Sequence, residues 1–402
     1  MSLADDAKLL LIPTAYNTSK VYSVFPTDGD GDFTYTRSGD ASRVNPGVLI
    51  ETVGTNIPRI DHTGGGCPSL LLEAERTNNT TYSEDYTQTS YWGDVIDVVA
   101  TKDEAIAPDG NFTANKIQAN SGTNFKILRT NAFTIPSGVT MSMFVKKGNH
   151  DYIIFKAQGD YEFNLSTLQF NQSYSNVGYE DYGNGWIRLY ATTSSSVLSY
   201  FGIYLTDSSF NQSWAATGSE FVYVWGAQYE VGDYVSSYIK SNSGVTTTRL
   251  KDECFNGGDA DLFDITEGTF FVDANNFGTP YLAYNMITLS DGSSNLVRFI
   301  YESSRIRTSV ENGSSQQDYF ITGVNGNERN KVAITFKKDQ FKVYHNGVLK
   351  DTDTSGDIPT GLDKLNFASQ SGTSRNFEGK VYDTRVYDKV LTETEAIKLT
   401  TL

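Results

Sequence analysis

Apolar, aromatic and β-branched runs recur along the chain, and in several of them apolar residues fall at every second position. NFKILRT, VTMSMFVKK, DYIIFKA, GWIRLYAT, LSYFGIYLT and SEFVYVWGAQYEV are candidate strands in the middle of the sequence, and several of them alternate in this way. GTFFVDAN, NLVRFIYE, RIRTSVEN, KVAITFKK, QFKVYHNG and NFEGKVYDTRVYD are the candidate strands towards its end. A period of two puts alternate side chains on opposite faces, the signature of half-buried antiparallel strands. Turn residues separate the runs at the spacing of a sandwich or jelly roll. Asn346-Gly347 is a two-residue hairpin signal, because both residues tolerate the positive φ of a type I′ turn. Thr392 with Glu395 predicts a capping box for one short helix, with Leu391, Ile397 and Leu399 as its docking face. No long amphipathic helix is visible.

The pattern divides the chain. In residues 1–85 Pro and Gly interrupt every few positions, predicting short extended pieces that need a partner, either a neighbouring chain or the next domain. Residues 86–240 and 250–402 predict one sandwich each. The polar stretch 241–249 reads as a linker. The fold class expected is all-β: an N-terminal extended anchoring segment followed by two antiparallel β-sandwich (jelly-roll) domains.

Charge narrows the function classes. Lys+Arg number 32 against Asp+Glu 48, a net charge of -16, with no basic run. That argues against nucleic acid and anionic membranes as partners. No apolar run approaches the length of a membrane span. Leu9–Ile12 is too short for a secretory h-region and follows Asp5 and Asp6, so the chain is expected to fold in a cytoplasm. Cys67 and Cys254 read as free structural thiols.

Several residues are candidates for chemistry. Tyr91, Trp92 and Trp214 stand in polar contexts (TSYWGD and NQSWAA) and can offer ring faces to sugars. Trp186 and Trp225 lie in apolar runs and read as core. Asn211, like Asn164 and Asn171, can clamp sugar hydroxyls or simply satisfy turn backbone. Asp28, Asp30 and Asp32 alternate with glycine, as in calcium loops. The twelfth position from Asp28 is Gly39, not glutamate, so a plain turn is the competing reading. Calcium is therefore the one cofactor left open. His62, His150 and His345 are far apart, and no nucleophile elbow or phosphate loop is present, so a non-enzyme is expected. A carboxylate pair for glycoside cleavage needs only a separation in space, which sequence does not give. Arg43, Arg59 and Arg76 recur with Glu51, Asp61, Glu73 and Glu75, either as buried pairs that fix a docked segment or as solvated surface charge.

Three stretches carry resemblances. Arg43, Gly47–Glu51, Pro58–Asp61, Leu70–Glu73, Arg76–Asn78 and Ser83–Asp85 together resemble a segment of phage and prophage structural proteins, departing from it at Val48. Gly183–Thr192 and Trp225–Ser241 are similar to strands of carbohydrate-binding-like jelly rolls in the same proteins. KVAITFKKDQFKVYHNGVLKD and FEGKVYDTRVYDKVLTETEAIKL resemble a concanavalin A-like, laminin-G-type lectin domain. These resemblances imply a virion structural protein, a tail, fibre or capsid-surface adhesin that binds host-surface glycan. It would be made in the host cytoplasm and carried on the particle. Other virion proteins would be its partners, and a homotrimer is the implied assembly. A purely structural decoration or fibre component is the rival reading, and a glycan depolymerase a third.

Overall fold

The structure is a computed structural model describing residues 3–241, 243–278, 285–302, 304–372 and 374–402. It is nearly all β, and among the described residues Glu393–Thr400 is the α-helix. The expected strands form. In the middle module two six-stranded sheets face each other. One runs from Asp94–Ile96 through Lys126–Arg129, Gly202–Leu205 and Tyr152–Lys156 to Asp160–Asn164 and Gln169–Phe170. The other holds Val98–Ala105, Ala114–Ala119, Phe221–Val231, Val139–Lys147, Trp186–Thr192 and Val177–Asp181. Their inward positions, among them Met141, Met143, Phe155, Phe163, Leu189 and Val224, make one core.

The C-terminal sandwich opposes an eight-stranded and a five-stranded sheet. Its hairpin turns at Asn346 and Gly347 with φ of 46° and 79°, the left-handed pair that a type I′ turn requires. The helix begins with the predicted capping box at Thr392 and Glu395. Leu391, Ala396 and Leu399 bury it on Phe271, Ala333 and Tyr344.

The first 85 residues correct the expectation of an extended anchoring segment. Much of this stretch belongs to the C-terminal sandwich, while Val44 and Ile50 pack on the middle module. Leu9–Leu11 and Ser69–Leu72 both pair with Gly379–Tyr387, and Ile60–Asp61 continues the same sheet. Phe33–Thr36 pairs with Glu253–Phe255. Leu9, Leu11, Val21, Phe33, Leu70 and Leu72 enter one core with Phe270, Val272, Phe336 and Val386. The partner this segment needs is thus the far end of its own chain, and the middle module is inserted between the two halves of one sandwich. The triple leucine makes sense here: Leu70 and Leu72 face the C-terminal core while Leu71, on the opposite face, is also buried. The 241–249 stretch is likewise more than a linker, since Thr247–Arg249 pairs with Arg76–Asn78. Val48, the departure from the familiar pattern, sits at φ 58°, where a β-branched residue is rare, and packs beside the Trp186 and Tyr182 cluster.

A buried charge cluster ties these parts. Arg59 donates to Glu73 at 2.5 Å and to Asp252, Arg249 reaches Glu73 at 2.9 Å, and Arg37 reaches Asp252 at 3.3 Å. All five side chains are at most 2% exposed. Three guanidinium groups face two carboxylates, and backbone carbonyls take up the excess donors. Arg37 donates to the carbonyls of Val53 and Gly54, Arg59 to that of Ser42, and Arg249 to that of Ala74. The amide and hydroxyl of Ser237, from the middle module, donate to Glu73 at 2.8 and 2.7 Å. Burial pushes the Glu73 carboxyl up, but the charges of Arg249 and Arg59 outweigh it and hold it well below the usual carboxylate range. Of the two readings for the recurring arginines, Arg59 and Glu73 take the buried one, whereas Glu75 is exposed.

Removing one partner of a buried pair strands the other charge. Arg59→Met should cost about 3–5 kcal/mol in urea unfolding, and a loss under about 1 kcal/mol, the value of a surface pair, would contradict burial. The Glu73 carboxyl is depressed on folding, so its contribution is complete above its ordinary value of 4.5 and fades as pH falls towards the native value. The stability gap between wild type and Glu73→Gln should therefore narrow below that pH. A gap that stays constant on acidification would contradict the assignment.

Candidate functional site

A cleft of about 420 Å³ opens where the three parts meet. Strand alternation builds its walls. In Trp186–Thr192, Ile187, Leu189 and Ala191 point into the middle core, leaving Arg188, Tyr190 and Thr192 to face the cleft. In Gly379–Tyr387, Val381 enters the C-terminal core and Lys380 and Tyr382 face the cleft. Asp61 arrives on the strand beside the triple leucine, and Asp233 to Tyr238 close one side. The Tyr190 ring lies across Gly178 on the neighbouring strand, where any Cβ would collide with it.

The polar groups are held. Lys380 Nζ contacts Asp61 Oδ2 at 2.9 Å, and the amides of Val44 and Thr63 donate to the same carboxylate at 2.9 and 3.2 Å. Burial raises the Asp61 carboxyl, but Lys380 and the Val44 amide overcome it and the group sits below its ordinary value. Arg188 donates to the Ser236 carbonyl at 2.7 Å and to Ser142 Oγ at 3.0 Å, with its guanidinium carbon 5.2 Å from the Phe144 ring centroid. Glu180 behaves in the opposite way to Asp61. Burial raises its carboxyl, and Arg188 and Lys380 only partly offset this, while the Tyr182 hydroxyl donates from 3.4 Å. A recessed carboxyl with a raised pKa among tyrosines, amides and charges makes the cleft the candidate site for a polar ligand.

The residues nominated from sequence are elsewhere. Trp92 is fully buried, stacked on Tyr86 at 4.6 Å, so the expected sugar platform there is corrected: both ring faces are covered. Its polar neighbours belong to the loop that wraps it. Tyr91 is half-buried, its ring 5.1 Å from and edge-on to Trp92. Trp214 is half-buried, stacked on His150 at 5.2 Å, and donates to the Leu205 carbonyl. Asn211 is tied to Asp207 by its amide nitrogen and side chain, both at 2.9 Å, and Asn164 receives the amides of Ser166 and Thr167. These are turn roles. Asn171 donates to Glu162 at 2.7 Å. Trp186 and Trp225 are core residues, 2% and 1% exposed.

The calcium reading of the DGDGD turn is also corrected. Asp32 receives Ser23 and pairs with Lys20 at 3.3 Å, while Asp28 caps the amide of Asp30. Asp28 and Asp32 are thus spent on separate local partners, and among the described residues no group of three or more His, Cys, Asp or Glu side chains is placed to hold a metal ion. What sequence reasoning missed was Glu180, Tyr190, Lys380 and Tyr382. The available signal was that the outward positions of GWIRLYAT and GKVYDT carry charged and aromatic side chains rather than small polar ones.

Residues 266–396 match the family described as the concanavalin A-like lectin/glucanases superfamily. The solved structures similar to this chain include the carbohydrate-binding module of the Ruminococcus gnavus IT-sialidase bound to α2,3-sialyllactose. It is 18% identical, with a TM-score of 0.31, over 35% of this chain and 86% of that one. Domain 4 of the arabinanase AbnA from Geobacillus stearothermophilus, in complex with arabinotriose, is 15% identical with a TM-score of 0.28, over 40% and 84%. The SAP-like pentraxin of Limulus polyphemus is 12% identical with a TM-score of 0.27, over 33% and 69%. No curated protein matches the chain in sequence. The chain thus carries a concanavalin A-like sandwich in an all-β fold.

The opposed environments of the two cleft carboxyls give a direct check. Carboxyl carbon NMR titration should place Glu180 above its ordinary 4.5 and Asp61 below its ordinary 3.8. The reverse order would contradict the geometry described.

Proposed function

We propose that this chain is a non-enzymatic glycan-binding protein of the bacteriophage particle surface, a tail, fibre or capsid-surface adhesin. The observation that carries the glycan reading is the cleft where a concanavalin A-like sandwich meets the middle module. A sugar presents hydroxyls around a ring with apolar faces. Tyr190 and Tyr234 supply ring surface, and Glu180, Asn275 and Asn327 supply acceptors and donors for hydroxyls. Asp61 is paired with Lys380, and the charge of Arg188 partly offsets the burial of Glu180.

The non-enzymatic reading follows the sequence expectation and is supported in part by Asp61, one of the carboxyls that line the cleft beside Glu180. Glycoside hydrolysis needs a second carboxylate free to act as base or nucleophile. Asp61 is engaged by Lys380 and two backbone amides. The virion reading is supported by the Arg43–Asp85 motif, several of whose residues tie the two halves of the C-terminal sandwich together or hold the middle module to it. Asp61 pairs with Lys380, Glu73 receives Ser237, Asn78 donates to the carbonyls of Ala227 and Ile239, and Glu84 pairs with Lys240. A homotrimer with other virion proteins as partners belongs to the same proposal.

Glycan-array binding followed by calorimetry tests the first part. Tyr190→Ala and Glu180→Gln should each weaken a captured glycan about tenfold or more, roughly 1.4 kcal/mol. Unchanged affinity in both, or no glycan captured by the wild type, would overturn it. Immunogold labelling of intact particles with antibody to residues 250–402 tests the second part: label on particles is expected, and bare particles would refute the virion assignment.

A further inference from the structure

A second pocket lies on the middle module, away from the cleft. Tyr91, Phe133 and Tyr229 line it, with Asn79, Thr130 and Asn131 among its polar groups, and it is an open depression of about 280 Å³. The rings are fixed. Phe133 and Tyr229 pack with centroids 5.7 Å apart. Tyr91 is braced edge-on by Trp92, itself locked against Tyr86. The Tyr229 backbone is anchored at both ends, its amide donating to Asn78 Oδ1 and its carbonyl accepting from the Asn79 amide. Asn131 is exposed at the rim, and its carboxamide lies over Gly93, where a Cβ would come within 2.6 Å of Nδ2. Gly93 therefore makes room for this amide.

The pocket differs from the cleft in one respect that decides its ligand. Every residue lining it is uncharged: three aromatic rings, an alanine, a serine, a threonine and two asparagines. A carboxylate or ammonium brought here would lose water and meet no opposite charge. A neutral pyranose suits it, with one apolar face on the rings and hydroxyls towards the asparagine and threonine groups. The volume, just under the range of about 300–1,000 Å³ typical of drug-sized ligands, gives room to seat one sugar ring.

We propose that the Tyr91–Phe133–Tyr229 pocket is a second carbohydrate subsite that takes a single uncharged pyranose, independently of the cleft. The test is NMR of the full chain with ring-labelled tyrosine, titrated with methyl β-galactopyranoside and methyl β-glucopyranoside, and with the methyl glycoside of N-acetylneuraminic acid as the charged control. At least one neutral glycoside should shift the Tyr91 and Tyr229 ring signals, and the acidic glycoside should not. Phe133→Ala should weaken the effect tenfold or more. Asn131→Ala, at an exposed position that leaves the core untouched, should weaken it severalfold, while Tyr190→Ala and Glu180→Gln leave it unchanged. No shift with either neutral sugar, an equal shift with the acidic one, or loss of the effect on altering the cleft would each overturn the proposal. The first and third outcomes leave the cleft reading standing, so the two fail separately.

Discussion

Five charged side chains with almost no access to water lie where this chain must close on itself. Arg37 and Arg59 come from the first segment with Glu73, and Arg249 and Asp252 come from the stretch after the middle module. Such charges are tolerable only when all partners are present together, since removing a charge from water costs several kcal/mol before any attraction is counted. The cluster is therefore a condition on topology. It is satisfied when the two halves of the C-terminal sandwich meet and Ser237 of the middle module is docked against Glu73. Alternative packings of the same hydrophobic strands would strand a charge.

The cleft follows from that closure. Its walls come from parts of the chain far apart in sequence, and each wall is an ordinary strand whose inward residues are committed to a core. The outward residues, Arg188 and Tyr190 on one side and Lys380 and Tyr382 on the other, are brought face to face by the same docking that completes the charge cluster. Glu73 belongs to both, as a cluster member and a lining residue. Fold and site are in this sense one arrangement.

Much of the local structure was legible in the sequence because its causes are local. Alternation placed the strands, Asn346-Gly347 the hairpin and Thr392 with Glu395 the helix start. The all-β class followed. Pairings across the whole chain were not legible, because nothing in Leu70–Leu72 specifies Gly379–Val381 as its neighbour. The spacing of arginines and acids announced ion pairs, yet not that Asp252 and Arg249 complete them. Trp92 misled because polarity of sequence neighbours was read as exposure. Its actual neighbours in space are Tyr86 and Phe201. The DGDGD run misled in the same way, since alternation of acids with glycine serves a tight turn as well as an ion.

The most direct measurement is a crystal structure of the full chain grown with a glycan that it captures from an array. Density for the sugar is expected in the cleft, against Tyr190 and within hydrogen-bond reach of Glu180, with the Arg59–Glu73–Asp252 cluster intact. Sugar density confined to the outer surface of the C-terminal sandwich, with the cleft filled only by solvent, would contradict it.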